Sequence, residues 1–265
     1  VDRGPGASRG DGPAPGPGAV PGGPDALTSI FSGLSPKPSA QHLIWGTLVR
    51  LMSFIPIGAL AIRTNLLSVI FGAIDVILLY DLVRRLISHA IDPLPRNVGL
   101  LTVAPRVAAV AASLFLMFST PFWICSTRTS PLGFDIMLTL IVARVVMQYL
   151  STGTLGTAYL SAACFGLCSV EYPASAVFGP LYAFWIAFAL WRYGDFTARS
   201  ILLVAGAGLG GYACHLVSAW SFYATDGFYI RGLETYWDAL STSVSDQVRA
   251  VAMGLPDTGW LLVLI

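Results

Sequence analysis

The stretch from Arg63 to Leu86, RTNLLSVIFGAIDVILLYDLVRRL, decides the fold: an arginine, a long apolar run, and an arginine pair at its far end. Between Leu66 and Leu82 only Ser68, Asp75 and Asp81 are strongly polar. A bilayer core of about 30 Å is crossed by about 20 mainly apolar residues rising 1.5 Å each. The run therefore predicts a spanning helix over 64–86. Composition points the same way: 55% of the 265 residues are hydrophobic, 11% are charged, and mean hydropathy is +0.71. Soluble domains carry about 25% charged residues.

Working outward, further apolar stretches of spanning length lie at about 104–123, 133–150, 157–172, 174–191 and 200–222. The expected fold is an all-α, polytopic transmembrane helix bundle over 41–265. A polar and aromatic outer loop is expected at about 223–257, where Tyr229, Arg231, Glu234, Tyr236, Trp237 and Asp238 suit a cap over a cavity. A truncated span follows at 258–265. The chain opens on Val1 and stops inside that apolar run, so it reads as a piece of a longer protein that lacks a first transmembrane helix and a C-terminal part.

Residues 1–40 are different material. GPGASRGDGPAPGPGAVPGGP is rich in Gly and Pro and nearly free of aliphatic side chains, so it buries too little surface to offset its ordering entropy. A disordered arm and outer-side loop are expected there, and no basic segment followed by an apolar signal-peptide core is visible. The next segment, HLIWGTLVRLMSFIPIGALAI at 42–62, is apolar but carries Arg50 and is interrupted by Pro56 and Gly58. It reads as a helix at about 42–55 resting on the outer face, ended by a turn at Pro56.

The arginines give an orientation. With Arg84, Arg85, Arg96 and Arg106 on the cytoplasmic side, alternation of spans places Arg192 and Arg199 there too and leaves Arg63, Arg128, Arg231 and Arg249 outside, a modest positive-inside bias. Three ionisable residues fall within spans: Asp75, Arg144 and His215. Charges at such depth are costly and tend to pair, so an Asp75–Arg144 bridge between helices is expected. Cys125, Cys164, Cys168 and Cys214 have no redox or zinc spacing and read as small packing residues. GAGLGG at 206–211 is no phosphate loop, because it sits inside a span where small residues let helices approach closely. A net charge of +1 gives no reason to expect nucleic acid as a partner.

SFIPIGALAIRTNLLSVIFGAIDVILLYDLVRRL resembles the signature of the protein O-mannosyltransferase-like membrane family of the GT-C glycosyltransferase superfamily. The matching positions are Pro56, Gly58, Arg63, Asn65, Leu66, Ser68, Gly72, Tyr80, Arg84 and Arg85. FSTPFW at 118–123 and FGLCSVEYPASAVFGPLYAF at 165–184 resemble later elements of the family. The chain departs from the pattern at Ser130 and Leu132, where the family has Glu and Tyr, and at Glu171 and Tyr172, where it often has Asn and His. Upstream, PDALTSIFSGLSPKPSAQHLIWG lies along the family's acidic loop with Asp25 at its aspartate and Thr28 in place of a glutamate.

The resemblance implies transfer of a sugar, such as mannose in protein O-mannosylation, from a polyprenyl-phosphate carrier to a protein or glycan acceptor. The reaction would take place on the outer or lumenal face of a bacterial inner membrane or an endoplasmic reticulum membrane. Inverting transfer needs a carboxylate to accept the acceptor proton and cations to hold the departing phosphate. Asp25 is the matched candidate for the catalytic base, and Arg63, Glu171 and Tyr172 are the candidates for substrate binding. The residues assign no metal site and do not decide whether a divalent metal takes part; the lipid-linked sugar is the co-reactant implied, and membrane lipids are the standing partners. Plainer readings stand beside these: Asp25 as a helix N-cap, Arg63 as a headgroup anchor, Glu171 as a residue reaching the headgroups, and Arg84 with Arg85 as a topology signal. A degenerate, non-catalytic family member and a membrane transporter or scaffold are the alternative functions.

Overall fold

The computed structural model describes residues 42–56, 58–91, 99–224, 235–245 and 247–248. The expected arm at 1–40 and the truncated span at 258–265 lie outside them, as do Asp25 and most of the outer loop. The described part is an all-α membrane helix bundle with no strand among the described residues. In chain order its elements are α1 (Leu43–Ser53), α2 (Leu60–Ile91), α3 (Gly99–Phe118), α4 (Thr120–Thr127), α5 (Leu132–Thr152) and α6 (Leu155–Glu171). A 3₁₀ turn at Pro173–Phe178 follows, then α7 (Gly179–Arg192), α8 (Ala198–Tyr212) and α9 (Cys214–Ala224).

The segments at Leu60–Ile91, Leu132–Thr152 and Ala198–Trp220 are each long and apolar enough to cross a bilayer. The stretch expected as one span at 104–123 is instead bent by 66° between α3 and α4. The cause is local: Ser119 is extended and Pro121 has no N–H to continue the α3 ladder. Pro173 likewise stops α6 at 17 residues, and α7 restarts only at Gly179 with 14. Large apolar side chains such as Phe115, Phe118, Trp191, Leu202 and Leu209 point outward, as lipid contact requires.

The bundle packs through two cores. In one, Trp45 and Val49 of α1 meet Leu67 and Phe71 of α2 and Phe134 of α5, so α1 is seated in the bundle along one side and does not merely rest on it. In the other, Tyr149, Ala158, Ala162, Ile186, Leu190 and Val204 join α5, α6, α7 and α8. The small residues of α8 act as expected. A Cβ on Gly166 would come 2.1 Å from the Gly208 carbonyl oxygen, and one on Gly211 would come 2.1 Å from that of Ala163. Only glycine admits backbone approach this close.

The expected Asp75–Arg144 bridge does not form. Arg144 Nε donates to Asp81 at 2.6 Å, and Arg84 and Arg85 donate to the same carboxylate at 3.1 and 2.7 Å. The helical register decides this, because Asp81 lies at the far end of α2 beside the C-terminal half of α5, whereas Asp75 faces Gly133 near the start of α5. Asp75 is fully buried, and neither oxygen has a hydrogen-bond partner among the described residues. All four cysteines are unpaired.

Candidate functional site

The end of the bundle that carries Arg63 is assembled around α1. The first N–H groups of any helix lack partners inside it and favour negative charge, while its last carbonyls favour positive charge. His42, the N-cap residue of α1, adopts a left-handed conformation (φ 58°) and its side chain makes no capping bond. The cap comes instead from Glu171 at the end of α6. Its buried carboxylate accepts the Ile44 N–H at 2.9 Å and the Trp45 N–H at 2.8 Å. At the other end, Arg63 Nη1 donates to the carbonyls of Met52 (2.6 Å), Ser53 (3.3 Å) and Ile55. The turn at Pro56 folds α2 back so that its first turn can reach them. Arg63 and Glu171 are thus brought to one helix, at its opposite ends, and not into one pocket.

The residues of the Asn65-Leu66-x-Ser68 motif position the entry to α5. The Thr129 hydroxyl contacts that of Thr64 at 2.7 Å and donates to Asn65 Oδ1 at 2.8 Å, and the Ser130 N–H donates to Ser68 Oγ at 3.3 Å. Gly72 allows α4 to pass, since a Cβ there would lie 2.6 Å from the Ser126 Cβ. These contacts set where α5 begins, and so they set Asp135 in its first turn.

Asp135 is the residue that sequence reasoning overlooked. It is buried, with His42 Nδ1 3.5 Å from its Oδ1, and neither carboxylate oxygen makes a hydrogen bond among the described residues. Glu171 and Tyr172 lie near enough to feel its charge. Ser175, also buried, has its hydroxyl beside the Cys168 thiol. Buried polar atoms normally find partners, so the carboxylate without a hydrogen bond marks this place as a candidate site. The available signal was the nearby carboxylate: the family position at Ser130 lacks its own, and an aspartate stands five residues after it. Behind Tyr172, the Gln247 side chain joins His215 Nδ1 (3.1 Å), the Val170 carbonyl (3.5 Å) and the Tyr212 hydroxyl (2.9 Å). That network ties α6, α8 and α9 together and accounts for the intramembrane histidine.

Tyr172 is half-buried, and its N–H closes α6 on the Cys168 carbonyl at 2.8 Å. Arg128, beside Thr129 and therefore close to the start of α2, is exposed and without a bonding partner among the described residues. It is a cation on this side that remains available to a ligand. No group of three or more His, Cys, Asp or Glu side chains among the described residues is arranged to hold a metal ion.

Comparison with known proteins finds no curated protein and no solved structure that matches this chain. A family model described as Protein O-mannosyl-transferase TMEM260 N-terminal domain matches residues 43–195, from the first residue of α1 to just beyond α7. That range takes in the clamped helix α1, its two charged caps and Asp135. With more than half of its length matched, the chain belongs to this protein O-mannosyltransferase family.

Proposed function

We propose that the protein is an integral membrane glycosyltransferase that moves a sugar from a polyprenyl-phosphate carrier to an acceptor hydroxyl on the outer or lumenal side, with protein O-mannosylation as the leading case. The family membership supports a glycosyltransferase-like role in general. The observation that carries the finer reading is the buried Asp135 carboxylate beneath the N-terminus of α1, 3.5 Å from His42 Nδ1 and with neither oxygen hydrogen-bonded among the described residues.

In the proposed step the acceptor oxygen attacks the anomeric carbon. The bond from that carbon to the phosphate oxygen breaks, and the polyprenyl phosphate leaves with its electron pair. A carboxylate takes the hydroxyl proton. Asp25, upstream of His42 in the sequence, is the proposed base. Asp135 and Tyr172 are proposed to orient the sugar or acceptor hydroxyls, while Glu171 and Arg63 contribute by holding α1 over them. The departing phosphate needs a cation, and exposed Arg128 is proposed to supply it, with Arg63, whose Nη1 is engaged by carbonyls, held at the end of α1.

The test is transfer of labelled mannose from polyprenyl-phosphate mannose in membranes containing the complete protein. Activity that Asp25→Asn lowers by about 10²-fold or more, with unchanged abundance, supports the reading. Transfer from a nucleotide sugar but not from the lipid carrier would overturn it.

A further inference from the structure

The opposite end of the bundle carries a second polar site. Arg84 and Arg85 lie 21 and 22 residues after Arg63 on the same helix, roughly 32 Å along its axis at 1.5 Å per residue. That is about one bilayer core away from α1. Between the last turns of α2 and the C-terminal part of α5 opens a cavity of about 390 Å³, whose lining includes Arg84, Arg85, Ser88, His89, Gln148 and Ser151.

The charges around it do not balance. Three guanidinium groups, those of Arg84, Arg85 and Arg144, converge on the single carboxylate of Asp81. Among the described residues no second carboxylate joins them, which leaves an excess of two positive charges, with the Arg84 and Arg85 side chains 43% and 44% exposed and that of Arg144 24%. Arg84 Nε is buried with no hydrogen-bond partner among those residues. Cations that serve only to mark topology or to snorkel hold their charged heads in water. Arg84 and Arg85 instead line a cavity together, with hydroxyl and amide groups completing its wall and Arg144 meeting them on Asp81.

We propose that this cavity is a binding site for a phosphate group, the shared chemistry of an anionic lipid headgroup and of free phosphate. Basic pockets between membrane helices at headgroup depth suit such headgroups, and arginine forks match phosphate oxygens. A bound phosphate would neutralise the excess charge and bridge α2 to α5. The site is separate from the sugar-transfer end of the bundle, and it stands or falls independently of that reading.

The experiment reconstitutes the whole chain in phosphatidylcholine bilayers, with and without phosphatidic acid, and separately adds inorganic phosphate to the pure phosphatidylcholine sample. The readouts are apparent unfolding temperature and, by native mass spectrometry of the folded fraction, retained lipid. Arg85→Gln removes charge, and Gln148→Trp fills the cavity without changing charge. A stabilising shift with phosphatidic acid that both variants abolish supports a headgroup site, with Arg85→Gln weakening binding about tenfold or more. The same pattern with inorganic phosphate supports the site with a soluble ligand. No shift with either anion, or a shift that Gln148→Trp leaves at full size, overturns the proposal, since attraction to surface charge alone would not sense the cavity.

Discussion

Glu171 and Arg63 hold opposite ends of the same helix, the carboxylate on the first amides of α1 and the guanidinium on its last carbonyls. Each charge also opposes the partial charge of the helix end it meets. The two clamps are unequal because Glu171 is fully buried and Arg63 only partly so. Glu171→Ala would leave two amides without acceptors in a dry site and is expected to cost about 3 kcal/mol, against about 1 kcal/mol for Arg63→Ala. Hydrogen exchange over residues 43–53 checks this: protection should fall at the N-terminal turn in the first variant and at the C-terminal turn in the second.

Asp75 and Asp81 sit less than two turns apart on α2, yet among the described residues only Asp81 has partners, and it has three. Asp81→Asn removes the anion that joins α2 to α5 and leaves three partly exposed guanidinium groups repelling one another, so a loss of about 1 kcal/mol, read as a lower unfolding temperature in detergent, is expected. Asp75→Asn replaces an unpartnered buried carboxylate with a neutral group of the same shape and should be neutral or stabilising. Equal losses from the two substitutions would mean that Asp75 has a partner beyond the described residues.

The fold was largely legible because spanning helices announce themselves by length and hydropathy, and Arg63 to Leu86 does so plainly. The breaks were harder to see. Pro121 and Pro173 are visible as letters, but whether a proline bends or ends a helix depends on neighbours that supply or withhold a partner for the freed carbonyls. At the site, Arg63 and Glu171 stood out as charges at span ends. That they serve one short helix, from positions more than 100 residues apart, is a tertiary fact that no local pattern encodes. Asn65 and Ser68 were legible as a motif, whereas their task of fixing the Thr129–Ser130 turn was not. Asp135 was missed because it follows Gly133 and Phe134 in an ordinary apolar helix start, and only His42 arriving from α1 marks it.

The glycines of α8 and its partner α6 allow a clean contrast. Gly166→Ala and Gly211→Ala would each place a methyl 2.1 Å from a backbone oxygen, which cannot move aside as a side chain can. Each is expected to cost about 3 kcal/mol or to prevent assembly. At Gly206 and Gly210 a Cβ meets nothing within 4 Å, so alanine there should be tolerated or slightly stabilising through helix propensity. Yield of folded protein after detergent extraction separates the two pairs.

Asp135 separates a structural carboxylate from a functional one. A carboxylate kept for stability would be bonded, as Glu171 and Asp81 are, and its removal would lower the unfolding temperature. Asp135 is buried, touches only His42 at 3.5 Å among the described charged groups, and has neither oxygen hydrogen-bonded among the described residues, so the isosteric Asp135→Asn should change the unfolding temperature little. The same change should lower sugar transfer by about 10²-fold, the usual loss when a positioned polar group is removed from a reacting centre. Ser175→Ala serves as the neighbouring control, since it deletes a buried hydroxyl without charge and should move activity far less. Loss of stability in Asp135→Asn with activity per folded molecule intact would make the residue a fold determinant, and His42 merely the neighbour that seals it.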